Sequence, residues 1–192
     1  MSQTAVLWDT KMMFHRLVED ASGCPTDAVT PLMLSAPFFR GRYAGILIPT
    51  GFGNTSYSRL LPALRACSGR IEEYLEAGGR MLVFGAADAS PARYDWLPVE
   101  VEYHFAFMEH ALDIDDSSRW SSLFSGYDTE AFACDGWFEH AEGKPVAVSR
   151  DTGKPVFVEC RVGKGTLLLA STHEYPSDAF LKMFAAGETI PF

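Results

Sequence analysis

His173, in the segment Ser171-Thr172-His173-Glu174-Tyr175-Pro176, follows a short apolar run and is well suited by type to move a proton. An imidazole placed there serves as acid, base or ligand contact, and Glu174 beside it offers a carboxylate to orient the ring. Neighbours on an extended backbone point to opposite faces, which sets Glu174 away from that ring. The plainer reading of His173 is a side chain held by a loop hydrogen bond. Three more points of this kind each follow an apolar run: Asp9 with Thr10, the loop Thr50-Gly51-Phe52-Gly53-Asn54, and Ala86 to Ser90. Gly51 and Gly53 let backbone approach a ligand closely, or else serve a turn that needs positive φ.

A second cluster of candidate groups is His104, His110 and His140 with Glu102, Glu109 and Asp135. Glu102 and His104 would share a strand face, but the spacings match no zinc motif, so no metal and no cofactor is expected. Cys24, Cys67, Cys134 and Cys160 are widely spaced, with no CxxC pair, and read as free thiols that pack as small apolar groups. Cys134-Asp135-Gly136-Trp137 reads as a turn beside a core tryptophan. Trp96, Trp120 and Trp137 either line a ligand cavity or simply pack.

The elements that must carry these residues alternate. Thr4 to Trp8 is a buried strand, Lys11 to Ala21 a helix, Pro31 to Ala36 a second strand and Tyr43 to Pro49 a third. Leu60, Leu64, Cys67, Ile71, Tyr74 and Leu75 recur at three- and four-residue steps and describe one face of a long helix. Pro62 fits its first turn, and Gly78-Gly79 ends it. Arg80 to Phe84 is apolar enough to be covered on both faces. Trp96 to Phe107 alternates like one or two half-exposed strands, Ser117 to Gly126 reads as a short helix, and Gly136 to His140 as a strand. Pro145 to Ser149, Pro155 to Arg161 and Thr166 to Ser171, joined by glycine turns, make an antiparallel meander before a last helix, Ser177 to Ala186. The expectation is a three-layer α/β sandwich with a mostly parallel central sheet and a C-terminal β-meander. In such sheets ligands sit beyond the C-terminal strand ends, where Asp9, Thr50 and His173 lie.

The chain has 192 residues, 47% of them hydrophobic, which suits one domain spanning 1–192. With 16 basic against 25 acidic residues, a net of −9, and no basic run, nucleic acid is not an expected partner. Asp9 and Lys11 interrupt the N-terminal apolar stretch, and no run approaches the ~20 residues of a membrane helix. A cytoplasmic protein away from membranes is expected.

Two segments and one residue carry a resemblance. Pro49-Thr50-Gly51-Phe52-Gly53 is similar to the PGGFG loop of class I glutamine amidotransferases, whose N–H groups contribute to an oxyanion hole. Gly85-Ala86-Ala87-Asp88-Ala89 follows a strand as that family's G-x-C-x-G nucleophile elbow does, and His173 stands where the family carries its histidine, usually as H-P-E. The chain thus resembles the class I glutamine amidotransferase-like superfamily, with flavodoxin-like topology. Its C-terminal part is also similar to biotin-protein ligase N-terminal-like and trehalose-utilisation-like domains. Ala87 stands at the elbow in place of the cysteine, so a cysteinyl thioester is chemically excluded there; Ser90, three residues on, would need repositioning to substitute. Glu174 is adjacent to His173 and not two positions on.

The resemblance implies a non-glutaminase member that binds a small polar ligand, or a protein partner, around Asp9, Thr50, Gly51, Phe52, Gly53, Asn54 and Ala87. The alternative is a hydrolase or lyase with His173 as base, Asp88 or Glu174 behind it, and the Gly51–Gly53 loop as oxyanion hole. Asp88 also fits a helix cap. A third possibility is a structural homodimer, since members of the superfamily often self-associate.

Overall fold

A computed structural model describes residues 3–192. Strand β1 (Thr4–Leu7) leads to α1 (Met13–Ser22), β2 (Thr26–Val29), α2 (Pro31–Ser35), the short β3 (Arg42–Tyr43) and β4 (Gly45–Ile48). Two helices follow, α3 (Leu60–Ala66) and α4 (Ser68–Glu76), then β5 (Arg80–Val83). Next come β6 (Val101–His110), β7 (Leu112–Ile114), a 3₁₀ segment Arg119–Phe124 and β8 (Phe132–Ala141). The chain ends with β9 (Lys144–Ser149), β10 (Pro155–Val162), β11 (Gly165–Ala170), α5 (Asp178–Ala185) and β12 (Ile190–Pro191).

Eight strands form one sheet in the order β2-β1-β4-β5-β11-β10-β9-β7. The pairs from β2 through β11 are parallel, and those from β11 through β7 are antiparallel. The architecture is therefore the expected α/β sandwich with a mostly parallel sheet and a C-terminal meander. Its parallel strands are largely apolar because both faces are covered. Ala5, Leu7, Ile46, Ile48, Met81 and Val83 pack on one side with Leu60, Leu64, Ile71 and Tyr74 of α3 and α4. Val6, Leu47, Leu82 and Leu168 pack on the other with Phe14 of α1 and Phe180 and Phe184 of α5. The two-residue period of a strand sends alternate side chains into two cores. Among the described residues no helix is long and apolar enough to cross a membrane.

Three expectations are corrected. Pro31 to Ala36 is not a strand: Thr30 caps the Met33 N–H and Pro31 occupies the first helical turn, so a helix starts where a short apolar run looked extended. The second strand is Thr26–Val29. The long helix is two, broken at Cys67, whose φ of −115° and ψ of 16° leave the helical region just before the weak helix formers Ser68 and Gly69. Cys134 to Trp137 is no turn but the middle of a ten-residue strand.

That strand positions the candidate site. β6 and β8 form a separate antiparallel ribbon outside the main sheet. Its β8 strand crosses the end of β11: the Asp135 N–H donates to the Ser171 carbonyl at 2.7 Å, and the His173 N–H donates to the Ala133 carbonyl at 3.0 Å. Gly136 makes the crossing possible. Its φ is +145°, and a Cβ there would sit 1.9 Å from the His104 carbonyl oxygen of the neighbouring strand. Gly136→Ala should therefore lower unfolding stability by about 1–3 kcal/mol in a urea titration. Gly153→Ala, at φ +69° in open space, provides the control for backbone strain alone. Equal losses would contradict the close approach at Gly136.

Candidate functional site

The elbow-like turn after β5 has a strained backbone at Ala87. Ala87 has φ 50°, and among the described residues it is the one non-glycine with positive φ. The conformation is held from several sides. Gly51 N–H donates to Gly85 O at 2.8 Å, Gly53 N–H to Ala86 O at 3.1 Å, and the Asn54 amide to Ala87 O at 3.1 Å. The Ala86 N–H donates to the Tyr94 hydroxyl at 3.1 Å. The glycine loop thus grips the elbow with its own donors. Gly53 has no room for a Cβ, which would lie 2.8 Å from that of Ala86. Two of the N–H groups expected in an oxyanion hole are already committed to carbonyls.

His173 finds a carboxylate, and it is neither Asp88 nor Glu174. Its Nδ1 lies 2.9 Å from Asp135 Oδ1, while the Thr50 hydroxyl donates to Asp135 Oδ2 at 2.9 Å and reaches Gly85 O at 3.1 Å. The Tyr103 hydroxyl donates to the Asp135 carbonyl at 2.6 Å. Asp135 is nearly buried, and the His173 side chain is 50% exposed. On its other side the ring meets the edge of Phe107, with centroids 5.0 Å apart and planes at 76°. A cavity of about 360 Å³ opens beside it, lined by Met12, Phe14, Thr50, Phe84, Thr172 and Tyr175 together with Pro49, His173 and Glu174. Its size and lining suit a small ligand.

The other candidates are placed elsewhere. Asp88 pairs with Arg93 at 2.8 Å and caps the Ser90 N–H; the hydrogen bond from Arg93 holds its carboxyl below the usual range. Glu174 lines the cavity, and no hydrogen bond joins it to the His173 ring; its charge adds to burial in pushing the Tyr127 phenol up. Asp9 accepts from Ser58 Oγ at 2.5 Å and from the Arg59 N–H at the start of α3, so it anchors a helix. Phe52 is buried against Tyr94 and Trp96 and belongs to the core. Thr50, Gly51, Gly53, Asn54 and Ala87 do come together with His173's carboxylate, through Gly85.

The histidine and acid cluster does not assemble. His104 stacks on Trp137 at 4.2 Å, and His140 lies with Glu102 and Glu142 along an open groove of about 780 Å³ at the start of β6. That groove is larger than the His173 cavity but has no paired histidine, so the chemistry points to the smaller one. His110 is a core residue bonded to Ser149 at 2.8 Å. Among the described residues no three His, Cys, Asp or Glu side chains are grouped to hold a metal.

Asp135 is not recognisable from sequence as a partner of His173, because the two are 38 residues apart and meet only through the ribbon crossing. The contact of Phe107 with the His173 ring is equally hidden there.

No protein family and no curated protein matches the sequence. Solved structures do match. A "putative GMP synthase" component from Thermoplasma acidophilum is 14% identical, with a TM-score of 0.61, over 96% of this chain and 92% of that one. The fold resembles that of glutamine amidotransferase-like proteins. A cytoplasmic protein of Salmonella typhimurium LT2 matches at 12% identity and a TM-score of 0.59, over 95% and 93% of the two chains. A β-galactosidase from Rahnella matches at 12% identity and a TM-score of 0.60, and this chain spans 30% of its length.

The geometry makes two predictions. Ala87→Gly should be neutral or stabilising by up to about 1 kcal/mol in chemical denaturation, since it relieves positive φ, whereas Ala86→Gly should destabilise. A loss at Ala87 equal to that at Ala86 would contradict the strained elbow. Burial lowers the pKa of His15 and of His110, with Asp151 opposing in the second case. The unfolded chain therefore takes up these protons first, and stability present above the ordinary histidine pKa of ~6.5 is lost as pH falls from there through the lowered folded values. His110→Gln should shallow that fall in pH-dependent denaturation curves; an unchanged slope would remove His110 from the account.

Proposed function

We propose that this protein is an amidotransferase-like binding protein, without glutaminase chemistry, that holds a small polar molecule at the C-terminal edge of its sheet. The observation that carries this reading is the elbow: its strained backbone persists around Ala87 while the neighbouring histidine keeps a carboxylate and an open cavity. A thioester cannot form on a methyl group. The pocket chemistry that remains is a half-exposed imidazole with Asp135 and Thr50 behind it. Four free cysteines, three of them buried, fit a reducing compartment, and the proposed location is the cytoplasm.

The His173–Asp135 pair also supports the enzyme alternative, a hydrolase or lyase with His173 as base. Its oxyanion hole would have to come from groups other than the Gly51 and Gly53 N–H groups. Phe105, Phe107 and Met108, exposed on the ribbon, favour a protein partner or a second copy as competing occupants.

Incubation with glutamine should release no ammonia above the buffer background; release by the unaltered chain would overturn the reading. A panel of small polar compounds, screened by thermal unfolding, should contain members that raise Tm in the wild type but not in His173→Trp, whose bulk obstructs the opening from a half-exposed position. Stabilisation that persists in both would place the ligand elsewhere. Turnover of any such compound that vanishes in His173→Ala would select the enzyme.

A further inference from the structure

The arrangement of acceptors around His173 restricts which molecules the cavity can hold, an inference that rests on the ligand-site reading above. We infer that the site takes an uncharged or cationic molecule with a hydroxyl or amine donor at one end and an apolar face behind it, and that it discriminates against carboxylates and other acceptor-only anions.

Asp135 fixes the direction. One of its oxygens is 2.9 Å from His173 Nδ1, and the other accepts the Thr50 hydroxyl at 2.9 Å. A carboxylate that takes a proton from each side has only acceptors to offer, so on a neutral ring the proton must sit on Nδ1. Nε2 is then a lone pair, and a ligand meets it by donating. The rest of the lining agrees. Its one full charge in reach is the carboxylate of Glu174, and it includes no lysine or arginine. An anion would face a lone pair and a like charge with nothing to neutralise it. Thr172 lies deep in the wall, 1% exposed, and its hydroxyl has no hydrogen-bond partner in the protein. Its oxygen is closed to solvent, so it is an internal cost of the wall and not a contact for a ligand. Met12, Phe14, Phe84 and Tyr175 supply the apolar face. Tyr175 and Phe107 are both more than 40% exposed, at 42% and 62%, so a ligand bound against either ring would remove apolar surface from water.

Three probes built on one ring separate the possibilities: benzyl alcohol, benzylamine and benzoate. Each is titrated into the ¹⁵N-labelled full chain at mildly alkaline pH, where a free imidazole is neutral. The backbone amides of Thr172 to Tyr175 report binding. The alcohol and the amine should bind, with benzoate weaker by about tenfold. In Asp135→Asn the side-chain amide can donate to Nδ1 and move the ring proton to Nε2, so the preference should swing towards benzoate. Amide signals remote from the site check that the variant is folded, and the wild-type comparison stands without it. Benzoate binding as well as the alcohol in the wild type would overturn the donor rule and leave the site intact. An unswitched preference in folded Asp135→Asn whose ring proton is read on Nε2 in a long-range ¹H–¹⁵N correlation spectrum would overturn the tautomer argument, as would a wild-type ring protonated on Nε2. If no probe moves those amides while the spectrum is otherwise native, the ligand-site reading itself fails.

Discussion

Two backbone hydrogen bonds, Asp135 N–H to Ser171 O and His173 N–H to Ala133 O, decide the arrangement at the edge of the sheet. They lock an external ribbon across the end of the last parallel strand. Without that crossing, Asp135 would be a ribbon carboxylate apart from His173, and the His173 ring would lack its carboxylate. Gly136 permits the approach, and Tyr103 fastens it by donating to the Asp135 carbonyl. The fold therefore builds its histidine–carboxylate pair from two layers, with the acid supplied by the ribbon and not by the segment that carries the base.

The elbow and the glycine loop form a second, coupled constraint. Positive φ at Ala87 costs roughly 1–2 kcal/mol for a residue with a Cβ. Three hydrogen bonds donated by the loop, and one from the Ala86 N–H to the Tyr94 hydroxyl, over-determine the turn and hold that conformation. The same bonds take up the Gly51 and Gly53 N–H groups. A glycine-rich loop that resembles an oxyanion hole in sequence serves here as a clamp.

Much of the architecture is legible in the sequence because it depends on local pattern. The apolar runs Thr4 to Trp8, Tyr43 to Pro49 and Arg80 to Phe84 read as strands, the last as one covered on both faces, and the glycine turns of the meander announce antiparallel pairing. Pro31 to Ala36 misleads because a five-residue apolar stretch carries too few turns to show a helical period. The site is half legible. Thr50, the elbow and His173 lie at strand ends, where position alone marks them. Asp135 cannot be found that way, since its role depends on a ribbon register and a single β-bridge between Cys134 and Thr172. Asp88 and Glu174 are the more obvious carboxylates, but Arg93 claims the first and the second makes no hydrogen bond to the ring.

The central claim is that Asp135 holds the proton of His173 on Nδ1. A long-range ¹H–¹⁵N correlation spectrum of the imidazole rings reads the tautomer directly. The account predicts a Nδ1–H tautomer for His173 that is lost in Asp135→Ala. A ring with its proton on Nε2, or one indifferent to Asp135, would contradict it.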